Sequence, residues 1–92
     1  MRDTTVVNMH VAEFDVVIDR TSLFGNPFHL GKDGDRQAVL AKYRAYFHER
    51  VERDVEFRRS VLTLRGKRLG CHCAPKLCHG MTIAEWLEAN PL

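Results

Sequence analysis

The stretch GKRLGCHCAPKLCHGMTIAEWL, residues 66–87, carries the side chains best suited to chemistry. Three cysteines and two histidines fall within the nine residues from Cys71 to His79. Thiols and imidazoles bind zinc, act as nucleophiles and transfer protons. A strand-like run precedes the cluster and a helix-like run follows it. The cluster is therefore a candidate metal site, reactive thiol or ligand-binding turn.

Cys78 and His79 lie where a loop meets the first turn of a predicted helix. Unpaired backbone N–H groups and the helix dipole favour negative charge there, which promotes a thiolate or holds a phosphate. His79 can bind such an anion when protonated, or act as acid or base near neutral pH. We therefore take both as candidate catalytic residues. The structural alternative is that His79 caps the helix and Cys78 fills space beneath the loop.

Zinc is an alternative, with Cys71, Cys73, Cys78 and His79 as ligands. The first two lie on the same face of a strand, with Cβ atoms about 6.5–7 Å apart. They can share a zinc ion only if the strand ends between them, because each Zn–S bond is about 2.3 Å. Cys71 is equally well explained as a core residue. A thiol that attacks phosphate is a further reading, although His79 stands where that chemistry uses arginine.

The elements around the cluster predict one α/β domain over residues 1–92, a small Rossmann-like sandwich of about three strands and two to three helices. Asp35 and Asp54 are predicted to cap helices, the first beginning at Arg36. The connection between the first two strands is short, which predicts an antiparallel pair. The strands are predicted at Thr4–Met9, Phe14–Asp19 and Lys67–Cys73.

A loop rich in turn residues, residues 21–30 and here called the GNPF loop, follows the second strand. Long loops in compact domains are often functional. Arg20 and Arg36 flank it and could supply forked contacts to an anion. Ligands of α/β folds bind at the ends of strands. We therefore predict a phosphate or nucleotide pocket between this loop and the turn after the third strand.

Composition excludes little. A net charge of +2 does not by itself imply a nucleic-acid partner, although basic residues gather between 58 and 68. No apolar run approaches the roughly 18 residues of a membrane span, so we expect no membrane partner and a cytoplasmic location, the host cytoplasm if a phage encodes the chain. Three cysteines do not suggest a disulfide framework.

Five stretches, VVN, DVVIDR, FGNPF, GKDGDR and GKRLGCHCAPKLCHG, together resemble the domain of unknown function 4326 family of bacteriophages and bacteria. The resemblance runs from Val6 to about Leu87. Two residues depart from it: Asp19 replaces a usual glycine, and His72 replaces a usual aromatic residue and adds a possible ligand or proton carrier. The motif positions it implies are Asn8, Arg20, Gly25, Asn26, Pro27, Phe28, Arg36, Cys71, Cys73, Pro75, Cys78, His79 and Gly80.

These observations predict binding of a nucleotide, nucleoside or other phosphorylated small molecule between the GNPF loop and the 74–80 turn, with enzymatic turnover left open. One alternative is a zinc-stabilised module that binds nucleic acid or protein. Another is a phage protein that contacts a host partner without catalysis. Substrate, host partner and oligomeric state are open. The predicted ligand-binding residues are Asn8, Arg20, Gly25, Asn26, Arg36 and Gly80.

Overall fold

The computed structural model describes residues 3–72 and 78–90, and within them the chain forms three strands and three helices. The predicted α/β class is confirmed. Cys73 and the first part of the predicted 74–80 turn lie outside the described residues. The elements are β1 (Thr5–Asn8), β2 (Val16–Val17), α1 (Arg36–Arg53), α2 (Val55–Leu62), β3 (Arg68–Cys71) and α3 (Gly80–Ala89).

The sheet has β3 at its centre and is parallel throughout. Its strand order is β1-β3-β2. Asn8 of β1 is level with Cys71, and Val17 of β2 is level with Gly70. The predicted antiparallel pairing of the first two strands is therefore wrong, because β3 lies between them and both run in its direction.

The short connection between β1 and β2 is long enough to make them parallel because β2 is only two residues long. Val16 pairs with Leu69, whereas β1 ends opposite Cys71. The chain must therefore return by about two residues, roughly 7 Å of strand rise, instead of the full length of a strand. The usual requirement for a long parallel crossover assumes longer strands than these.

The connection crosses the sheet over Gly70. A Cβ atom at this position would lie 2.9 Å from Cγ of Phe14, so any other residue would collide with the crossing chain. Phe14, predicted as the start of a strand, instead covers this glycine. Leu69 and Cys71 point to the opposite face and are buried in the core with the helices.

Both predicted helix caps are confirmed. The Asp35 carboxylate accepts from the Ala38 N–H at 2.9 Å, and the Asp54 carboxylate accepts from the Phe57 N–H at 3.1 Å. Asp54 thereby separates α1 from α2. The buried side chains of α1 recur every four residues and form the stripe that packs on the core: Val39, Tyr43, Phe47 and Val51.

Helix α3 packs closely over β1 and the end of β2 through Gly80. A Cβ atom at this position would lie 2.6 Å from Cδ1 of Ile18 and 3.1 Å from both methyl groups of Val6. Ile83 and Leu87 continue the buried face of α3. Among the described residues, no helix is both long and apolar enough to cross a membrane.

We expect Gly80→Ala to lower the free energy of unfolding by about 1 kcal/mol, because the added methyl group must displace the Ile18 and Val6 methyl groups and the gain in helix propensity offsets only part of that cost. Urea unfolding followed by circular dichroism measures this. Glu88→Ala, an exposed change on the same helix, is the control and should shift stability by less than about 0.5 kcal/mol. Equal effects of the two changes would contradict the packing role of Gly80.

Candidate functional site

The parallel sheet brings the carboxyl ends of its three strands to one edge, where a cavity of about 350 Å³ lies. The side chains around it come from segments far apart in the sequence. The cavity is lined by Asp19, Arg20, Thr21, Asn26, Leu30, Arg36, Leu40, Cys71, His72, Cys78 and His79.

The GNPF loop forms one wall because it folds back onto the end of β2. A Cβ atom at Gly25 would lie 2.5 Å from the Asp19 carbonyl oxygen and 2.7 Å from Cα of Arg20, so only glycine fits there. The Tyr43 hydroxyl donates to the Phe24 carbonyl at 3.0 Å and ties the loop to α1. Gly25 itself lines a second hollow, which Arg20 and Asn26 also line, and is not among the residues that line this cavity.

Arg20 holds the loop in this position. Its guanidinium donates to the carbonyl oxygens of Asn26 at 2.5 Å and Phe28 at 2.9 Å. A planar guanidinium suits two such contacts at once, and lysine could not reproduce them. Arg36, the first residue of α1, lines the same cavity. The two predicted cationic residues are therefore brought together, and Arg20 also has a structural task.

Asn26 directs part of its amide towards the cavity. The residue is 8% exposed, and its Oδ1 accepts from the Phe28 N–H at 2.9 Å. Among the described residues Nδ2 has no hydrogen-bond acceptor, and because it is not a buried unsatisfied atom it is accessible to solvent. Asn26 lines both this cavity and the second hollow.

Cys78 and His79 form the second wall of the cavity. The His79 Nε2–H donates to the Ile18 carbonyl at 2.6 Å, and Nδ1 lies 3.6 Å from the Cys78 sulfur. The His79 ring also meets the Tyr43 ring nearly edge-on, at 5.1 Å between centroids. Burial lowers the pKa of His79 below its ordinary value, so the imidazole is neutral at neutral pH.

The first turn of α3 uses part of the hydrogen-bonding capacity expected for an anion. The Met81 N–H donates to the Cys78 carbonyl at 3.0 Å, and the Thr82 N–H donates to the His79 carbonyl at 3.1 Å. His79 occupies the N-cap position, but its side chain makes no capping hydrogen bond. The imidazole therefore lines the cavity and bonds to Ile18, the residue after β2. The Met81 and Thr82 amides are hydrogen-bonded within the turn.

Sequence reasoning missed a chain of hydrogen bonds at the cavity edge. His72 Nε2 lies 3.0 Å from the Asp19 carboxylate, and His72 Nδ1 lies 2.6 Å from Nε2 of His10. The hydroxyl of Thr21, and secondly His72, lower the pKa of Asp19 to about 2. Asp19 and His72, the two residues that depart from the family's usual ones, are thus hydrogen-bonded to each other. The available signal was their position just beyond the carboxyl ends of β2 and β3.

Other predicted residues lie elsewhere. The Asn8 side chain accepts from the His10 N–H at 2.9 Å and shapes the turn after β1; it is not among the residues that line the cavity. Gly80 is buried against Ile18 and Val6. Cys71 is buried and does line the cavity. Cys73 lies outside the described residues, which contain no group of three candidate ligands able to hold a metal ion.

The basic stretch 58–68 is largely engaged within the fold. Arg58 donates to two carbonyls at the end of α1, and Arg65 donates to two carbonyls at the end of α3. Arg68 pairs with Asp15 at 3.1 Å. Guanidinium groups at helix C-termini satisfy carbonyls that would otherwise lack partners. The contacts of these three side chains give the stretch a structural explanation.

The fold and the cavity at its carboxyl edge define a small α/β domain with a pocket that both polar and apolar side chains line. The chain belongs to the family described as Domain of unknown function (DUF4326), whose model matches residues 2–89. It is also 41% identical over 81 residues to the "Uncharacterized 12.4 kDa protein in nrdA-td intergenic region" of Enterobacteria phage T4. The aligned residues cover 87% of this chain and 73% of that protein. No solved structure matches the chain. The family resemblance read from the motifs is confirmed.

We expect Asp19 to contribute to acid stability. Its pKa in the fold is about 2, below the ordinary 3.8, so its contribution is present above pH 3.8 and is lost as the pH falls through about 2. Asp19→Asn should therefore destabilise the protein at pH 5 to 7, and the difference from wild type should shrink towards pH 2. Urea unfolding across this range measures it, and a difference that does not depend on pH would contradict it.

Proposed function

We propose that the protein binds a nucleotide, nucleoside or other phosphorylated small molecule in the cavity between the GNPF loop and the start of α3. The observation that carries this proposal is the convergence of Arg20, Asn26, Arg36 and His79 on one hollow of about 350 Å³. Cavities of roughly 300–1,000 Å³ with a few convergent polar groups are typical of small-molecule sites.

The arrangement of charge supports an anionic ligand held at the arginine side. Arg36 and Arg20 bring positive charge to the cavity, and the Asn26 amide offers N–H donors beside them. The Met81 and Thr82 amides of α3 are used within its first turn, so these two amides do not contribute to holding the anion. Guanidinium groups suit phosphate because they donate two parallel hydrogen bonds.

Leu30 and Leu40 give the same cavity an apolar part. A ligand with a charged group and a flatter, less polar portion, such as a base or sugar, matches this combination. The position also supports the proposal, because Rossmann-like and other open α/β sheets bind ligands outside the carboxyl ends of their strands.

We expect Arg36→Gln to weaken binding of a nucleoside phosphate by roughly 10- to 100-fold, the loss of about 1.5–3 kcal/mol for hydrogen bonds to a charged group. Isothermal titration calorimetry with a panel of nucleosides and their mono-, di- and triphosphates measures this. Arg59→Gln makes the same charge change at an exposed site on α2 and should leave affinity within about twofold.

Two results would overturn the proposal. The first is wild-type protein that binds no member of the panel. The second is equal affinity of the Arg36→Gln and Arg59→Gln variants, because binding would then not depend on the cavity. A preference for phosphorylated members over the matching nucleosides would support an anion at the arginine side.

Zinc remains the alternative to be separated by measurement, with Cys71, Cys73, Cys78 and His79 as its ligand set. Our proposal expects purified protein to contain far less than one zinc per chain and to keep its melting temperature in EDTA. Metal analysis and thermal unfolding measure both. Near-stoichiometric zinc together with unfolding on chelation would favour the zinc-stabilised module, since structural zinc supplies folding free energy.

A further inference from the structure

We propose that Cys78 is a nucleophilic thiol, that His79 is its general base, and that the pair acts on an electrophilic carbon of the molecule bound in the cavity. The location of that molecule rests on the function proposed above. The reactivity of the thiol rests on separate observations.

The first observation is the tautomer of His79. The Ile18 carbonyl can only accept a hydrogen bond, so Nε2, at 2.6 Å, must carry the proton. A neutral imidazole has one N–H group, which leaves Nδ1 with a lone pair. Nδ1 is the nitrogen that lies 3.6 Å from the Cys78 sulfur. The ring is therefore set to accept the thiol proton.

The second observation is that His79 is held in place by rigid structure. Ile18 is fully buried, and its own N–H donates to the Gly70 carbonyl of β3 at 2.9 Å. Tyr43 packs against the ring from the side. A nucleophile, a base and a third group that orients the base form the arrangement by which proteins activate thiols and hydroxyls. Here the third group is a backbone carbonyl.

The third observation is the contrast with Cys71. Both cysteines are buried, at 1% exposure for Cys71 and 3% for Cys78, and both line the cavity. Cys71 makes no side-chain hydrogen bond to another residue within 3–72 or 78–90, whereas Cys78 has the His79 imidazole. The two thiols are therefore buried to a similar extent, but only Cys78 has a neighbouring base.

The same cavity also contains a hydrogen-bond donor that a ligand can use. Asn26 is more than nine-tenths buried, its Oδ1 accepts from the Phe28 N–H, and its Nδ2 group has no acceptor among the described residues. Asn26 lines the cavity that Cys78 also lines. An acceptor atom of a bound molecule would therefore gain a hydrogen bond there.

Carbon is the favoured electrophile because the Met81 and Thr82 amides in the first turn of α3 already donate to the Cys78 and His79 carbonyls. Attack at phosphorus would require hydrogen-bond donors around the phosphoryl oxygens beside Cys78. The guanidinium groups of the cavity belong to Arg20 and Arg36, which lie on other segments of the chain. In the step, the Sγ–H bond breaks and its proton moves to Nδ1 while an Sγ–C bond forms. The leaving group departs with its bonding electron pair, and the proton on Nδ1 passes to a basic leaving group or, when the leaving group is iodide, to solvent.

Burial opposes the imidazolium form of His79, because a buried cation loses its hydration. With Nε2 donating to the Ile18 carbonyl, Nδ1 is the nitrogen that can accept the thiol proton during the attack.

The test is alkylation by iodoacetamide, followed by peptide mass spectrometry, on wild type and on the Cys71→Ser, Cys78→Ser and His79→Gln variants. Iodoacetamide supplies the electrophilic carbon and iodide is the leaving group. We expect Cys78 to react at least tenfold faster than Cys71, and His79→Gln to slow Cys78 by about 100-fold, the lower range for general base catalysis. His48→Gln, which changes a histidine of α1 that does not line the cavity, is the matched control and should change the rate less than threefold.

A second measurement covers the case in which His79→Gln does not fold. Nitrogen NMR of wild-type His79 should show the proton on Nε2 and a bare Nδ1. Equal labelling of Cys71 and Cys78 in wild type, or a proton on Nδ1, would overturn the thiol assignment. Either result leaves the nucleotide titrations of Arg36→Gln untouched. Rapid Cys78 labelling in a protein that binds no nucleotide would overturn the proposed function alone, whereas slower labelling with nucleotide present would support both.

Discussion

The arrangement depends on β3 lying between β1 and β2 and parallel to both. Because the strands run in the same direction, the residues that follow each of them meet at one edge of the sheet. His10 follows β1, Asp19 follows β2 and His72 follows β3, and all three join one chain of hydrogen bonds. An antiparallel β1–β2 pair would have placed His10 and Asp19 at opposite ends, and the cavity edge could not have formed.

The end of β2 connects the sheet to both walls of the cavity, although the strand itself is two residues long. The Ile18 N–H is bonded to β3, and the Ile18 carbonyl accepts from His79 at the start of α3. One residue later, the Asp19 carbonyl accepts from the Ser22 N–H and lies against Gly25 of the GNPF loop. The geometry of both walls is thus set by three consecutive residues, Ile18 to Arg20.

Local signals predicted the helices well, because a capping carboxylate acts within three residues: Asp35 and Asp54 both begin helices as expected. The direction of β2 could not be read locally, since it depends on a third strand about fifty residues away and on Gly70, which lets Phe14 cross the sheet. The GNPF loop and the Cys78–His79 turn were predicted to meet. Asp19 was identifiable in the sequence only as a departure from the family's usual glycine, because its partner His72 is distant in sequence.

Arg20 links the two proposals electrostatically. Its positive charge is one of the factors that lower the pKa of His79, after the larger effect of burial. An anionic ligand bound beside Arg20 would offset part of that charge and would make the imidazolium less unfavourable. His79 would then be a stronger base when the cavity is occupied than when it is empty. Arg20 would thus hold the GNPF loop, attract the ligand and keep His79 a weaker base while the cavity is empty. This coupling between ligand binding and the basicity of His79 requires no change in backbone conformation.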